Sequence, residues 1–177
     1  MRAAIEFLRS IGIRCEQVEG ATGFLPGVAI MEGGLLIDPH AHVSNVLHEG
    51  AHLAILPSGA RAMASGDIGS ACQAALNAVA HLHPDDPAYR AAIQTSDPEA
   101  TAWAYAAGVA LGIPMDQVIR DQDYEGTGDS QRLLLKMNRH SGIHGLQHGG
   151  FCAARPGPYA EMIGLPVFPK LARWLQV

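Results

Sequence analysis

The sequence contains few basic residues, with 12 Lys and Arg among 177 positions and a formal net charge of -5. Proteins that bind nucleic acid usually carry a basic stripe or patch that neutralises the phosphates. No such stripe occurs in this chain. Its composition therefore argues against nucleic acid as the main partner.

Cysteine is also scarce, since only Cys15, Cys72 and Cys152 occur, at wide and irregular spacing. An odd number without a CxxC pair fits reduced thiols better than a disulfide framework, and it disfavours a cysteine-based zinc site. No apolar run is long enough to span a membrane. Residues 1–9 carry charges at helical intervals without an uninterrupted apolar segment, which predicts a first helix and not a signal peptide. We therefore expect a cytoplasmic protein without a membrane partner.

Apolar residues, in contrast, make up 48% of the chain, which is ample for a buried core. The length favours a single domain over residues 1–177, and no repeat or linker divides it. Apolar runs at 28–31 and 35–37, joined by a Gly-containing turn, predict a hairpin in a small antiparallel sheet with a short strand at 13–18. The later chain predicts helices at 70–82, 97–111, 115–120, 130–139 and 168–175, and an acidic surface loop at 121–129. The predicted class is α+β.

The pattern HExxH occurs within residues 46–54. On a helix that turns about 100° per residue, His48 and His52 lie one turn apart on one face, with Glu49 beside them. Two imidazoles in this arrangement can bind one zinc ion, while the carboxylate takes a proton from water. Apolar or small residues at 43, 47, 50 and 54 form the stripe of a half-buried helix. A structural pair of histidines is the alternative, although composition gives only roughly 0.02 chance matches to the pattern.

A third protein ligand must come from elsewhere, because a catalytic zinc usually has three and keeps one position open. The extended motif HExxHxxGxxH is excluded, since Ile55 and Ser58 stand where it requires glycine and histidine. Glu99 is our candidate, in the first turn of the helix predicted at 97–111, with alanines following on its own face. The same glutamate also completes a capping box with Ser96, in which Asp97 is a turn or cap residue. The residues alone therefore leave ligand and cap equally weighted.

The order of these segments resembles the minimal gluzincin core of the ImmA/IrrE-type metallopeptidases. The resemblance is carried by the strand ending at 35–38, by LHEGAHL at 47–53 and by EATAWA at 99–104. In that family a helix with the pattern Glu-Ala-x-x-aromatic-Ala supplies the third zinc ligand, so the resemblance implies this role for Glu99. It also implies a zincin-like α+β fold, in which a small antiparallel sheet packs on the HExxH helix and a second ligand-bearing helix. The helices that the residue patterns predict beyond 112 make the C-terminal half mostly helical. Most of 57–94 and all residues beyond 112 lie outside the resemblance, and no helix-turn-helix pattern implies a repressor partner.

Hydrolysis also needs a donor for the oxyanion that forms in the transition state. Tyr124, in the predicted acidic loop, could close over a substrate and donate its hydroxyl, and the alternative is an exposed loop tyrosine. Tyr105 lies about 240° around the helix from Glu99, so we expect it in the core. Asp129 ends a GTGD segment that imitates an aspzincin ligand, but the residues after it depart from that pattern.

Three further histidines, His140, His144 and His148, recur every four residues. This spacing would align them on a helix, but the neighbouring glycines oppose one, so loop histidines are the default. A second metal site and a contribution to the zinc pocket are the alternatives.

The sequence thus predicts a zinc-dependent metallopeptidase in which His48, His52 and Glu99 hold Zn²⁺ and Glu49 is the general base. Its predicted partner is a peptide or protein substrate. Two alternatives share the metal site: an inactive, metal-stabilised interaction domain, and a zinc hydrolase of a non-peptide amide. The motifs encode neither the substrate sequence nor the oligomeric state.

Overall fold

Three short strands and eleven helices form an α+β fold in the computed structural model, which describes all 177 residues. The strands are β1 Cys15–Gln17, β2 Val28–Met31 and β3 Gly34–Ile37. The helices are α1 Arg2–Ser10, α2 Val43–Ile55, α3 Ser58–Met63, α4 Ile68–Val79, α5 Pro87–Ile93, α6 Asp97–Leu111, α7 Met115–Val118, α8 Asp123–Gly126, α9 Gly128–Lys136, α10 Ser141–His148 and α11 Pro158–Ile163. None of the helices combines the length and the apolar character needed to cross a membrane.

The predicted hairpin is confirmed, with β2 antiparallel to β3 and Val28 opposite Ile37. Its turn places Glu32 and Gly33 in the left-handed region, with φ of 48° and 71°. Two consecutive positive φ values give the turn twist that suits an antiparallel pair. The hairpin ends at a turn in which Asp38 accepts hydrogen bonds from the backbone N–H groups of Gly20 and His40, immediately before α2.

The prediction of a wholly antiparallel sheet is wrong, because the sheet is mixed. The strand order is β1-β3-β2, and β1 runs parallel to β3 with Cys15 opposite Leu35. Strands β1 and β2 therefore flank β3 on opposite sides, and the segment between them crosses from one edge of the sheet to the other. Apolar runs specify that strands form, but they leave the path of such a connection open.

The two central helices, α2 and α6, pack directly on each other. Every residue of α2 except Val43 and His48 is buried. Gly50 makes room for α1, since a Cβ at this position would lie 2.7 Å from Leu8 Cδ2. The packing requirement explains why a residue that costs helix stability stands within α2.

Glycines also seat α10 against the beginning of α6. A Cβ on Gly142 would lie 1.7 Å from the carbonyl oxygen of Pro98, and a Cβ on Gly145 would lie 2.0 Å from Glu99 Oε1. The sequence-based prediction treated these glycines as helix breakers, whereas the structure has a helix over 141–148. Their missing side chains allow α10 to approach the backbone of α6, which outweighs their low helix propensity.

The predicted terminal helix at 168–175 is also wrong, since the backbone there is irregular. The segment is held by tertiary contacts, in which Trp174 meets Trp103 edge-on at 5.4 Å and the backbone N–H of Gln176 donates to Ala54 O at 2.8 Å. Tyr105 lies in the core as expected, where it stacks on Phe168 at 6.0 Å. Thirty-seven of the buried apolar residues form one cluster.

Candidate metal centre

His48 and His52 face the same point on one side of α2. They lie one helical turn apart, and their Nε2 atoms are 3.2 Å from each other. The side chain of His48 is 14% exposed and that of His52 is 5% exposed. The HExxH pattern therefore forms the helix and the paired imidazoles that the sequence predicts, although the helix is almost wholly buried and not half-buried as expected.

Asp97 completes the cluster from the first residue of α6. Its Oδ1 atom lies 3.1 Å from His52 Nε2 and 3.6 Å from His48 Nε2. Hydrogen bonds with His48 and His52 hold the pKa of the Asp97 carboxyl well below its usual range. The Asp97 side chain is 73% exposed, so the third vertex of the cluster faces solvent.

These separations fit a tetrahedral metal ion. Zinc binds imidazole nitrogen and carboxylate oxygen at about 2.0–2.2 Å, so neighbouring ligand atoms in a tetrahedral site lie about 3.3 Å apart. The three observed separations, 3.2, 3.1 and 3.6 Å, are close to that value. Two nitrogens and one oxygen also form a donor set common in catalytic zinc sites, which leave one position open. His48, His52 and Asp97 are therefore able to hold a metal ion.

Glu99 is not part of this cluster, and Asp97 occupies the position that the sequence predicted for Glu99. Its Oε2 atom accepts hydrogen bonds from the backbone N–H of Ser96, at 3.2 Å, and from the Ser96 hydroxyl. Its Oε1 atom lies over Gly145 of α10. Two residues correspond to about 200° around a helix, so Asp97 and Glu99 face opposite sides. The capping box is formed, and it explains why this glutamate is buried.

Sequence reasoning missed Asp97 because both acids precede small residues on their own faces. Ala102 and Ala106 follow Glu99 at helical spacing, while Thr101 and Ala104 follow Asp97 in the same way. Either face could thus have packed against α2. The available signal was the capping box itself, because a glutamate that satisfies the N-cap amide is turned away from other partners.

Glu49 lies beside the imidazoles and is only 5% exposed. Burial raises the pKa of Glu49, while the neighbouring His52 and His48 act in the opposite direction. A carboxylate with a raised pKa is a stronger base than one in water, and catalytic bases work best when their pKa approaches the ambient pH. The environment of Glu49 therefore suits proton transfer.

Tyr124 is brought to the centre from the short helix α8. Its hydroxyl lies 3.3 Å from His48 Nδ1 and 2.8 Å from Thr101 Oγ1. Burial raises the pKa of Tyr124 to about 12, so the hydroxyl keeps its proton at neutral pH. Tyr124 is thus a partly buried neighbour of His48, although the sequence predicted its segment as an acidic surface loop.

A cleft of about 420 Å³ opens beside His48 and Asp97. Its lining includes the apolar loop residues 24–26 and the charged residues Arg120, Asp123 and Glu125. Arg120 pairs with Asp123 at 2.8 Å. This cleft connects the cluster of His48 and Asp97 to solvent.

The remaining candidates lie outside the cluster. His140 caps α10, where its Nδ1 accepts from the backbone N–H of Gly142, while His144 and His148 are exposed. Asp129 accepts a hydrogen bond from the backbone N–H of Ser130 in the first turn of α9. The group of potential ligands brought within 4.8 Å of one another consists of His48, His52 and Asp97.

This arrangement combines three atoms able to bind a metal ion, a buried carboxylate and an adjacent cleft. Comparisons of the chain with known protein families, curated proteins and solved structures find no match. Function is therefore inferred from the chemistry of the site.

Proposed function

We propose that this protein is a zinc-dependent metallopeptidase. The observation that supports the proposal is the cluster of His48 Nε2, His52 Nε2 and Asp97 Oδ1, with separations of 3.1–3.6 Å beside a cleft. Two imidazoles and a carboxylate can hold several divalent ions, and the HExxH pattern with its adjacent glutamate favours zinc among them. The residues that would hold the ion are these three.

In the proposed reaction, each residue of the site has its own role. His48, His52 and Asp97 orient the ion, which when bound supplies Lewis acidity for water and for the substrate carbonyl. Glu49 takes the proton from water and passes it to the departing amine nitrogen. Its burial favours this exchange, because a desolvated carboxylate accepts a proton more readily.

The proposed fold family and cellular location also rest on features described above. We infer a zincin-like fold, since an HExxH helix lies against a second helix whose first residue, Asp97, is the proposed third ligand. In the ImmA/IrrE-type pattern the third ligand is glutamate. Here Asp97 takes that role, two residues before Glu99 on the same helix. The three unpaired cysteines suit a reducing compartment, so the proposed location is the cytoplasm.

The direct experiment compares purified wild-type protein with Glu49→Gln. Zinc content is measured by mass spectrometry, and hydrolysis is measured with a fluorogenic peptide library. We expect both proteins to bind one equivalent of zinc and the variant to lose hydrolysis by about 10²- to 10⁴-fold. Equal hydrolysis by the two proteins would contradict the role of Glu49.

The two alternative functions are outcomes of the same experiment. Zinc binding without cleavage of any peptide would favour an interaction domain. Cleavage of non-peptide amides in place of peptides would favour the third hypothesis.

A further inference from the structure

A chain of hydrogen bonds connects the two ligand-bearing helices behind the metal-binding cluster. Thr101 Oγ1 lies 2.8 Å from the carbonyl oxygen of Asp97, Tyr124 Oη lies 2.8 Å from Thr101 Oγ1, and His48 Nδ1 lies 3.3 Å from Tyr124 Oη. This chain of hydrogen bonds therefore connects Asp97 to His48 through the hydroxyl groups of Thr101 and Tyr124.

The direction of each hydrogen bond follows from the carbonyl at one end. A carbonyl oxygen only accepts, so Thr101 donates its single hydroxyl hydrogen to Asp97 O. Thr101 Oγ1 can then only accept from Tyr124, whose own hydrogen is used in this bond. Tyr124 Oη is left as an acceptor, and it receives the hydrogen of His48 Nδ1.

This direction selects one tautomer of His48. With its hydrogen on Nδ1, a neutral imidazole presents a lone pair at Nε2, the atom that faces His52 and Asp97. Metal-ligating histidines commonly use such a second hydrogen bond to fix their tautomer and ring orientation. The Nδ1 atom of His52, in contrast, is buried without a hydrogen-bond partner.

We propose that Thr101 and Tyr124 are a positioning pair that fixes His48 as an Nε2 metal ligand, an inference that rests on the metal site of the proposed function. Tyr124 does not act as an oxyanion donor, because its only hydroxyl hydrogen is donated to Thr101. Thr101 is 1% exposed, so its hydroxyl is shielded from competing water.

The backbone around Tyr124 supports a specific role. Tyr124 and Glu125 both lie in the left-handed region, with φ of 56° and 58°. Residues other than glycine rarely adopt this conformation, which costs free energy and persists where surrounding contacts impose it. The Arg120–Asp123 ion pair precedes this turn, and Thr127 Oγ1 donates to Tyr124 O at 2.8 Å. These contacts stabilise the turn that carries Tyr124.

The test measures zinc affinity by chelator competition for wild type, Tyr124→Phe, Thr101→Val and Thr101→Ser. We expect Tyr124→Phe and Thr101→Val to weaken zinc binding about tenfold each. The double variant should be no weaker than either single variant, because each substitution breaks the same chain. Thr101→Ser keeps the hydroxyl and should retain wild-type affinity. Tyr105→Phe is the matched control. This tyrosine lies on α6 with Thr101, but its ring stacks on Phe168, away from the cluster.

A second readout follows the hydrogen atom itself. In the zinc-loaded protein, the Nδ1–H signal of His48 should be visible by NMR in wild type and Thr101→Ser and lost to solvent exchange in Tyr124→Phe. Unchanged zinc affinity with reduced hydrolysis in Tyr124→Phe would overturn the positioning role and favour an oxyanion donor. Zinc binding by wild type without hydrolysis would contradict the peptidase proposal alone, whereas absence of zinc binding by wild type would overturn the positioning pair as well.

Discussion

The two sides of the first turn of α6 each carry one acid, and the surroundings give these acids opposite roles. Asp97 faces α2, is 73% exposed and contacts two imidazoles. Glu99 faces α10, is 7% exposed and satisfies the backbone N–H and hydroxyl of Ser96. A potential metal ligand thus keeps its carboxylate open to an ion, while a capping residue uses its carboxylate to complete the helix. The comparison predicts that the two acids affect different measurements.

The largest effect on stability should come from the α10 side. Gly142→Ala would place a Cβ 1.7 Å from Pro98 O, which forces α10 away from α6. We expect a loss of about 3 kcal/mol in the free energy of unfolding, measured by urea denaturation. Gly59→Ala is the matched control, because no atom lies within 4 Å of its added Cβ and alanine favours a helix. Equal stability of the two variants would contradict the close packing of α10 on α6.

The next effect separates the two acids. Glu99→Ala removes the side chain that accepts from the Ser96 backbone N–H, so we expect a loss of about 1 kcal/mol in metal-free stability. Its zinc affinity should stay within about twofold of wild type, whereas Asp97→Ala should weaken zinc binding by about 100-fold or more. Urea denaturation and chelator competition on both variants measure these quantities. The reverse pattern would restore Glu99 as the ligand.

The smallest expected effect is a difference in the rates at which the three cysteines are alkylated in the folded protein. Burial raises the pKa of Cys15 to about 11 and that of Cys152 to about 12, so at pH 8 about 0.1% and 0.01% of these thiols are ionised. Cys72, on α4, is only partly buried, and we expect it to react first. The thiolate fraction of each buried cysteine grows about tenfold per pH unit below its pKa, so their labelling should accelerate towards high pH. Peptide mapping after iodoacetamide treatment checks the order, and faster labelling of Cys152 than of Cys72 would contradict it.

Much of this fold was accessible from local patterns. The hairpin, the HExxH helix and α6 follow from apolar periodicity and from turn and cap residues, and the structure confirms all three. What local patterns did not contain was the packing between distant segments. Gly142 and Gly145 favour a loop on propensity alone, and they become helical only because α6 lies against them. Asp97 was missed because both faces of α6 carry an acid followed by small residues, and the face that meets α2 is decided by tertiary packing.

Zinc-edge anomalous diffraction from crystals of the zinc-loaded protein tests the central claim most directly. We predict one anomalous peak that lies about 2.0–2.2 Å from His48 Nε2, His52 Nε2 and an Asp97 carboxylate oxygen, with Glu99 still bonded to Ser96. A peak bound to Glu99, or none between the two histidines, would contradict the proposed centre.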